Sequence, residues 1–168
     1  MSPSYSPTHP ELFTVQFGDG EFSAFLQSNK TFEAGEVIAK LEGITIGTPK
    51  RYTSVQCGEY SQDNLELNSD LRFANHSCEP STDWDLSSPN PADWHVRARK
   101  RIEAGDSITF FYPCTEWDMI QPFKCSCGAP TCLGTIQGAK YLDVKEVTSR
   151  AFINPWIRRL LKEKEALN

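Results

Sequence analysis

The sequence has 168 residues, of which 39% are hydrophobic and 23% are charged. This length suits a single domain, and this mixture is typical of a folded protein rather than a disordered one. The formal charge of −5 disfavours direct nucleic-acid binding, because that function requires a basic surface. No apolar run approaches the ~20 residues that a membrane span requires, and no secretory or transit signal is visible. We therefore expect one domain in the cytoplasm or nucleus, without membrane association.

The first ten residues differ in composition from the segment that follows. Residues 1–10 contain three prolines and several small polar residues, which predicts a mobile tail outside the domain. From Glu11 to about Tyr112, short apolar segments are separated by turn signals. In EVIAKLEG, at 36–43, apolar residues alternate with others directly after a glycine turn. These patterns predict a mainly β structure with few helices.

Three later segments carry local signals of different kinds. Residues 48–68 show no clear period, so we expect one short helix or a loop there. The run WHVRARKR, at 94–101, alternates like a strand with a solvated basic face, which we favour over a nuclear import signal. Near the C-terminus, Asn154 and Pro155 are typical of the first positions of a helix. One apolar face of that helix is predicted to pack on the domain, and it consists of Trp156, Ile157, Leu160 and Leu161.

Three closely spaced cysteines indicate a metal site. Cys125, Cys127 and Cys132 form a C-x-C-x4-C pattern whose glycine and proline allow a tight turn. Zinc in a structural site takes four such ligands in a tetrahedron, so one further ligand is required. Disulfides are disfavoured in a protein expected inside the cell. Spacing alone leaves the fourth ligand open among Cys57, Cys78 and Cys114.

Four runs in fixed order suggest a family. AGEVIAKLEG at 34–43, RFANHSCEP at 72–80, AGDSITFFY at 104–112 and CSCGAPTCLG at 125–134 together resemble SET-domain protein lysine methyltransferases with a post-SET zinc segment. The resemblance reaches from about Phe13 to Gly134. It implies small β-sheets around a knot-like crossing of two segments. It also implies methyl transfer from S-adenosylmethionine to the amine of a lysine, or a similar amine, in a protein or peptide.

The resemblance also divides the chain into four parts. The mobile tail at 1–10 precedes a SET domain at 11–113, a post-SET zinc segment at 114–140 and a C-terminal helical extension at 141–168. The sequence does not indicate an oligomeric state.

Matching the motifs residue by residue gives each site residue an expected role. Tyr112 matches the catalytic tyrosine of the family, and Phe110 matches the position that sets how many methyl groups fit. Phenylalanine there implies that di- or trimethylation is allowed. The implied zinc ligands are Cys78, Cys125, Cys127 and Cys132. The implied cofactor-binding residues are Ala24, Phe25, Leu26, Arg72, Phe73, Asn75, His76, Phe123, Ile136 and Gln137.

Several positions depart from the family pattern. SAFLQS, at 23–28, lacks the glycine pair that lets backbone approach the cofactor. Leu41 replaces a channel tyrosine, Phe111 an aspartate and Ser81 an asparagine. These changes indicate a compact, divergent member whose substrate need not be a histone. Two alternatives stay open: an inactive SET-like binding or scaffold module, and a SET scaffold that acts in small-molecule metabolism.

Overall fold

The computed structural model describes residues 4–168, which form twelve short strands, four 3-10 turns and two α-helices. The strands are β1 (Phe13–Gln16), β2 (Phe25–Ser28), β3 (Val37–Lys40), β4 (Ile44–Ile46), β5 (Val55–Gln56), β6 (Asn64–Leu67), β7 (Asn75–His76), β8 (Thr82–Asp85), β9 (His95–Ala98), β10 (Thr109–Phe110), β11 (Phe123–Lys124) and β12 (Thr135–Ile136). The helices are α1 (Val144–Thr148) and α2 (Pro155–Ala166), and the 3-10 turns cover Asp70–Phe73, Pro91–Asp93, Tyr112–Cys114 and Ala139–Tyr141. The mainly β prediction is confirmed.

The strands form five small sheets. Two sheets have three antiparallel strands, in the orders β3-β9-β8 and β4-β6-β5. The pairs β1-β2 and β11-β12 are antiparallel, whereas β7 and β10 are parallel. Sharp turns separate these elements, and Gly35 and Gly105 have φ values of 89° and 94°, which other residues rarely adopt. Short strands and tight turns together account for the division into many small sheets.

The core follows the alternation that the sequence predicted. In β9, Val96 and Ala98 are buried while Arg97 is half-buried on the other face. This confirms the expected strand with an outward basic face. The largest fully buried side chains come from segments far apart in the chain, and they include Trp84, Phe111, Leu26, Leu65, Ile153 and Ile157.

The segment at 48–68, expected to be a helix or a loop, instead contributes two strands. Val55 of β5 pairs with Leu65 of β6, and β4 pairs on the opposite edge of β6. Strands of two to four residues contain too few positions to show a period, so the pattern could not indicate them. Their stability comes from burial, since both Val55 and Leu65 lie in the core.

The C-terminal helix forms as predicted, but Asn154 acts differently from a capping residue. Pro155 opens α2, and Trp156, Ile157 and Leu161 are buried against the domain. The Asn154 side chain makes no capping bond. It is fully buried and bonds three backbone groups: it accepts from Leu86 N and donates to the carbonyl oxygens of Trp84 and Cys114. Among residues 4–168, neither helix is long and apolar enough to cross a membrane.

The N-terminal segment packs on the domain where the sequence predicted a mobile tail. Residues 1–3 of that prediction lie outside the described residues. Within residues 4–10, Tyr5, Thr8 and His9 all hydrogen-bond to the carboxylate of Asp70. A composition rich in proline did not reveal this contact, because its partner lies more than 60 positions away.

Candidate active site and thiol cluster

The site forms where two distant segments cross. Strands β7 and β10 pair in parallel, with Asn75 opposite Thr109 and His76 opposite Phe110. The pairing continues as the Ser77 N–H donates to the Phe110 carbonyl over 3.0 Å. The residues that follow both strands therefore lie side by side, although more than 30 positions separate them in sequence.

His76 connects the two segments beyond this strand pair. Its Nδ1 accepts a hydrogen bond from the Tyr112 N–H over 3.1 Å, and its Nε2 lies 3.3 Å from the Cys78 sulfur. Burial, reinforced by the charge of Arg150, lowers the pKa of His76 to about 3, so the ring is neutral. We assign the ring proton to Nε2, because Nδ1 already accepts. His76 thus donates to Cys78 while it holds the backbone of Tyr112.

Tyr112 lies in an aromatic cluster at the end of the crossing. Its hydroxyl donates to the Ala74 carbonyl over 3.3 Å. Its ring centroid lies 4.7 Å from that of Phe110, 5.3 Å from that of His76 and 5.9 Å from that of Phe123. Burial, followed by the nearby charge of Glu116, raises the pKa of Tyr112 well above its ordinary value. The phenol is therefore neutral at physiological pH and can both donate and accept a hydrogen bond.

Phe110 is fixed from both sides. Trp84 stacks on its ring with a centroid distance of 4.1 Å and an interplanar angle of 19°, and Tyr112 covers another side. Trp84 itself is fully buried, and its indole N–H donates to the Thr82 hydroxyl. No motif in the sequence marked Trp84 as a site residue. Its only mark in the sequence is a tryptophan in an alternating strand, and that pattern is as typical of a core residue as of a residue that supports a site.

Four cysteines converge beside His76. The sulfurs of Cys78, Cys125, Cys127 and Cys132 all lie within 4.8 Å of one another. This grouping resolves the question that spacing left open, because Cys78 completes the set and neither Cys57 nor Cys114 does. A zinc–sulfur bond of ~2.3 Å in a tetrahedron requires sulfurs about 3.8 Å apart, and Cys78 and Cys125 are 3.9 Å apart. The donor set fits zinc.

Ionising all four thiols at this place requires a compensating positive charge. Burial raises the pKa of Cys78 to about 11. Burial also opposes ionisation of Cys127, yet hydrogen bonds from backbone groups and neighbouring thiols lower its pKa to about 6. Backbone N–H groups already point at two sulfurs, from Leu133 to Cys78 and from Cys127 to Cys125. Four thiolates this close repel one another, and a divalent cation removes that repulsion.

Comparison with known proteins shows the family of the chain. A model of the SET domain matches residues 23–113, a little over half of the chain. The chain belongs to the SET-domain family. Methyltransferase flvH of Aspergillus flavus is 40% identical over 159 residues, covering 95% of this chain and 86% of that protein. Histone-lysine N-methyltransferase ash1 of Drosophila melanogaster is 36% identical over 77 residues, covering 45% of this chain and 4% of that protein.

Solved structures share the SET fold at low sequence identity. The methyltransferase domain of human histone-lysine N-methyltransferase SETMAR aligns with a TM-score of 0.55 and 15% identity, over 75% of this chain and 58% of that one. KRYPTONITE, solved with mCHG DNA and SAH, aligns with a TM-score of 0.53 and 20% identity, over 70% of this chain and 27% of that one. The family match and the methyltransferase relatives identify the chain as a SET-type methyltransferase.

The first predicted cofactor segment is joined to the crossing. The Asn75 side chain donates to the Ala24 carbonyl over 3.0 Å. Phe25 opens β2, and Leu26 is fully buried with its carbonyl accepting from Ile108 N–H. The Ala24 and Leu26 carbonyls are therefore engaged within the protein. The strand also pairs with β1 along its other edge, so the half-buried ring of Phe25 is the part of this segment that is open to a ligand.

The other predicted cofactor residues lie on both sides of Tyr112. Arg72 and Phe73 belong to the 3-10 turn before β7, and the Arg72 guanidinium lies 5.2 Å from the Phe73 ring centroid. Phe123 and Ile136 pair across β11 and β12, with Gln137 next in the chain, and the Phe123 ring lies 5.9 Å from the ring centroids of both His76 and Tyr112. Aromatic rings grouped in this way suit the flat adenine of an adenosyl cofactor. These ten cofactor assignments stay predictions.

The positions that depart from the family pattern have structural roles. Leu41 and Phe111 belong to the core, and the Arg150 guanidinium lies 6.0 Å from the Phe111 ring centroid. The Ser81 hydroxyl donates to the Ser107 carbonyl and accepts from the Thr109 N–H. These replacements preserve the packing behind the site, so the divergence leaves the crossing intact.

Glu116 is a second residue near the site that no sequence motif marked, and its carboxyl group is buried. One of its oxygens accepts from the Gln56 N–H over 2.9 Å and from the Thr115 hydroxyl, and Gln56 in turn accepts from the Trp117 N–H. Burial raises the pKa of Glu116 to about 7, although hydrogen bonds and Lys50 oppose the shift. The surrounding CTEW run carries no pattern that marks a buried acid.

Proposed function

We propose that this SET-domain protein methylates the amine of a lysine, or a comparable primary amine, in a protein or peptide, using S-adenosylmethionine and one structural zinc ion. The carrying observation is the position of Tyr112, whose neutral hydroxyl lies inside an aromatic cluster and whose backbone is held by His76. Methyl transfer requires a fixed polar group beside the reacting amine, and a tyrosine hydroxyl held among aromatic rings meets that requirement.

When bound, S-adenosylmethionine supplies an electrophilic methyl group on a positively charged sulfur. The protein must bring the amine into line with that methyl group in its neutral form. The aromatic rings around Tyr112 exclude water, which lowers the pKa of an amine entering the cluster. The Tyr112 hydroxyl oxygen can then accept a hydrogen bond from the amine and orient its lone pair. No carboxylate has to take part in this step.

Phe110 sets the room around the amine in this proposal. Its ring is held against Trp84 and carries no hydroxyl that would hydrogen-bond to the amine or fill the space beside it. An amine that already bears one or two methyl groups therefore still fits. We propose dimethyl or trimethyl products on this basis.

Zinc would be held by Cys78, Cys125, Cys127 and Cys132, where its role is structural because all four positions are protein thiolates. The metal would join the crossing to the segment that carries β11 and β12. Since His76 contacts both Cys78 and Tyr112, the position of Tyr112 depends on the cluster. Loss of the metal should therefore damage the active site before it unfolds the remaining sheets.

A small-molecule amine is the second candidate substrate. The relative from Aspergillus flavus matches nearly the whole of this chain, whereas ash1 is matched over 4% of its length. A free amine needs only the channel itself. Direct binding to nucleic acid forms no part of either proposal.

The test begins with calorimetric titration of S-adenosylmethionine into zinc-loaded protein, followed by transfer of labelled methyl groups to peptides and to free amines. Tyr112→Phe should bind the cofactor with unchanged affinity and lose about 100-fold or more in turnover, since it loses only the hydroxyl. Tyr60→Phe is the matched control, because Tyr60 is exposed on the surface. Undiminished turnover in Tyr112→Phe would refute the assigned role, and absence of cofactor binding would favour a non-catalytic module.

A further inference from the structure

The N-terminal segment holds a buried charge next to the predicted cofactor residues. The Asp70 carboxylate is fully buried, and every hydrogen bond that it accepts from residues 4–168 comes from residues 5–9. One oxygen accepts from the Tyr5 hydroxyl over 2.5 Å and the Thr8 N–H over 3.1 Å, and the other accepts from the His9 N–H over 2.8 Å. The Asp70 N–H returns a bond to the Thr8 hydroxyl over 2.8 Å. We call residues 5–9 the N-terminal strap.

Burial and hydrogen bonding act against each other on Asp70. Burial alone would raise the pKa of its carboxyl, but the bonds from Tyr5, His9 and Thr8 outweigh burial and hold the pKa below the usual range. The carboxylate is thus charged and depends on the strap for compensation. Detaching the strap would break all three of these bonds and expose the carboxylate to water, so its hydrogen bonds would have to be replaced by solvent. Asp70 and the strap therefore behave as one unit.

The same unit touches the turn that carries two predicted cofactor residues. Asp70 is the first residue of the 3-10 turn that contains Arg72 and Phe73. The Tyr5 ring meets the Phe73 ring edge-on at 5.5 Å, and Phe17 meets both rings at 5.3 and 5.6 Å. The strap thus fixes this turn through its carboxylate and through its aromatic ring. The chain then continues directly into Asn75 and His76.

We propose that the N-terminal strap forms part of the cofactor pocket and that Asp70 is a positioning residue, which sets the placement of Arg72 and Phe73 for the bound cofactor. The inference rests on the proposed function, because it assigns these two residues to the cofactor. The coupling is reciprocal: a cofactor that binds better to the strapped turn must also stabilise the strap. A contact with a purely structural role would not be strengthened by the cofactor, so this reciprocity distinguishes the two roles.

Amide hydrogen exchange on the zinc-loaded full chain tests this reciprocity without any substitution. The Thr8 and His9 amides donate to Asp70, and saturation with S-adenosylhomocysteine should slow their exchange about tenfold, toward the lower end of the range for coupled sites. The control is the Glu103 amide, which donates to the Asp106 carboxylate on an exposed turn and should not change. Unchanged exchange at Thr8 and His9 in protein saturated with the ligand would overturn the proposal.

Two substitutions measure the same coupling as affinity. Asp70→Asn places an NH2 group against N–H donors and should weaken binding of S-adenosylmethionine about tenfold, and Tyr5→Phe, which removes one of three bonds, should weaken it less. Asp106→Asn is the control and should bind like the wild type. If the wild type itself binds no cofactor, the proposed function fails. If the wild type binds and Tyr5→Phe and Asp70→Asn bind equally well, only the strap proposal fails.

Discussion

Glu116 is buried, and burial disfavours the ionised form of its carboxyl group. Replacing it with glutamine, which cannot ionise, measures how much that charge lowers the free energy of unfolding. The pKa of Glu116 is raised from 4.5 to about 7, mainly by burial. The folded state therefore holds this proton more tightly than the unfolded chain between those two values. The contribution of Glu116 to the free energy of unfolding is therefore fully present below about pH 4.5 and is lost as the pH rises to about 7.

The size of the effect follows from the same shift. Each pKa unit corresponds to 1.36 kcal/mol, so ionising Glu116 costs the folded state about 3 kcal/mol at pH 8 and about 1 kcal/mol at pH 5. Glu116→Gln is isosteric and keeps an oxygen that accepts from the Gln56 N–H and the Thr115 hydroxyl. The variant should therefore be more stable than the wild type at pH 8, by about 2 to 3 kcal/mol. The gain should be much smaller at pH 5.

Urea unfolding of zinc-saturated protein at pH 5 and pH 8 measures both differences, and comparison at each pH cancels the titration of groups common to both proteins. Glu66→Gln, on β6, is the control, because Glu66 is a half-buried glutamate that accepts a hydrogen bond from Thr53. The control should show no gain that grows with pH. An equal effect of Glu116→Gln at both pH values, or a loss at pH 8, would refute the account of Glu116 as a buried charge.

Three further predictions concern the site and its supports. Asn154→Ala removes the side-chain partner of the buried Leu86 N–H and Trp84 carbonyl, while the Cys114 carbonyl keeps its bond from the residue 154 N–H. The free energy of unfolding should fall by about 2 to 5 kcal/mol in urea titrations, whereas Asn90→Ala, at an exposed turn, should cost much less. Phe110→Tyr should shift the product toward monomethylation, because the added hydroxyl takes up room beside Tyr112. Mass spectrometry of the product measures this shift, and an unchanged product distribution would contradict the role of Phe110. Removal of zinc with a chelator should lower both the melting temperature and the affinity for the cofactor, because His76 contacts both Cys78 and Tyr112. If the metal-free protein binds the cofactor equally well, the proposed dependence of the active site on the thiol cluster is wrong.

Local chemistry of the chain determined much of the fold and of the site. The C-x-C-x4-C pattern predicted a metal site because such short spacing keeps the three sulfur atoms close together in space. The alternation in β9 and the apolar face of α2 predicted which side chains would be buried, and Val96, Trp156 and Ile157 are buried accordingly. The motifs around Asn75 and Tyr112 indicated the SET family because they are contiguous in sequence. Each of these signals spans only a few residues, so it survives without tertiary information.

Tertiary structure decided whatever depends on groups far apart in sequence. Cys78 became the fourth thiol because the parallel pairing of β7 and β10 leads its segment to a cluster 47 residues further along. The same holds for Glu116, a buried carboxyl whose hydrogen-bond partner Gln56 lies 60 positions away. It holds also for Asp70, whose charge is compensated by residues more than 60 positions away. Burial and charge pairing are properties of the assembled interior, and no local pattern of residue types carries them. The sequence therefore determined which chemical groups are available, and the fold determined which of them meet.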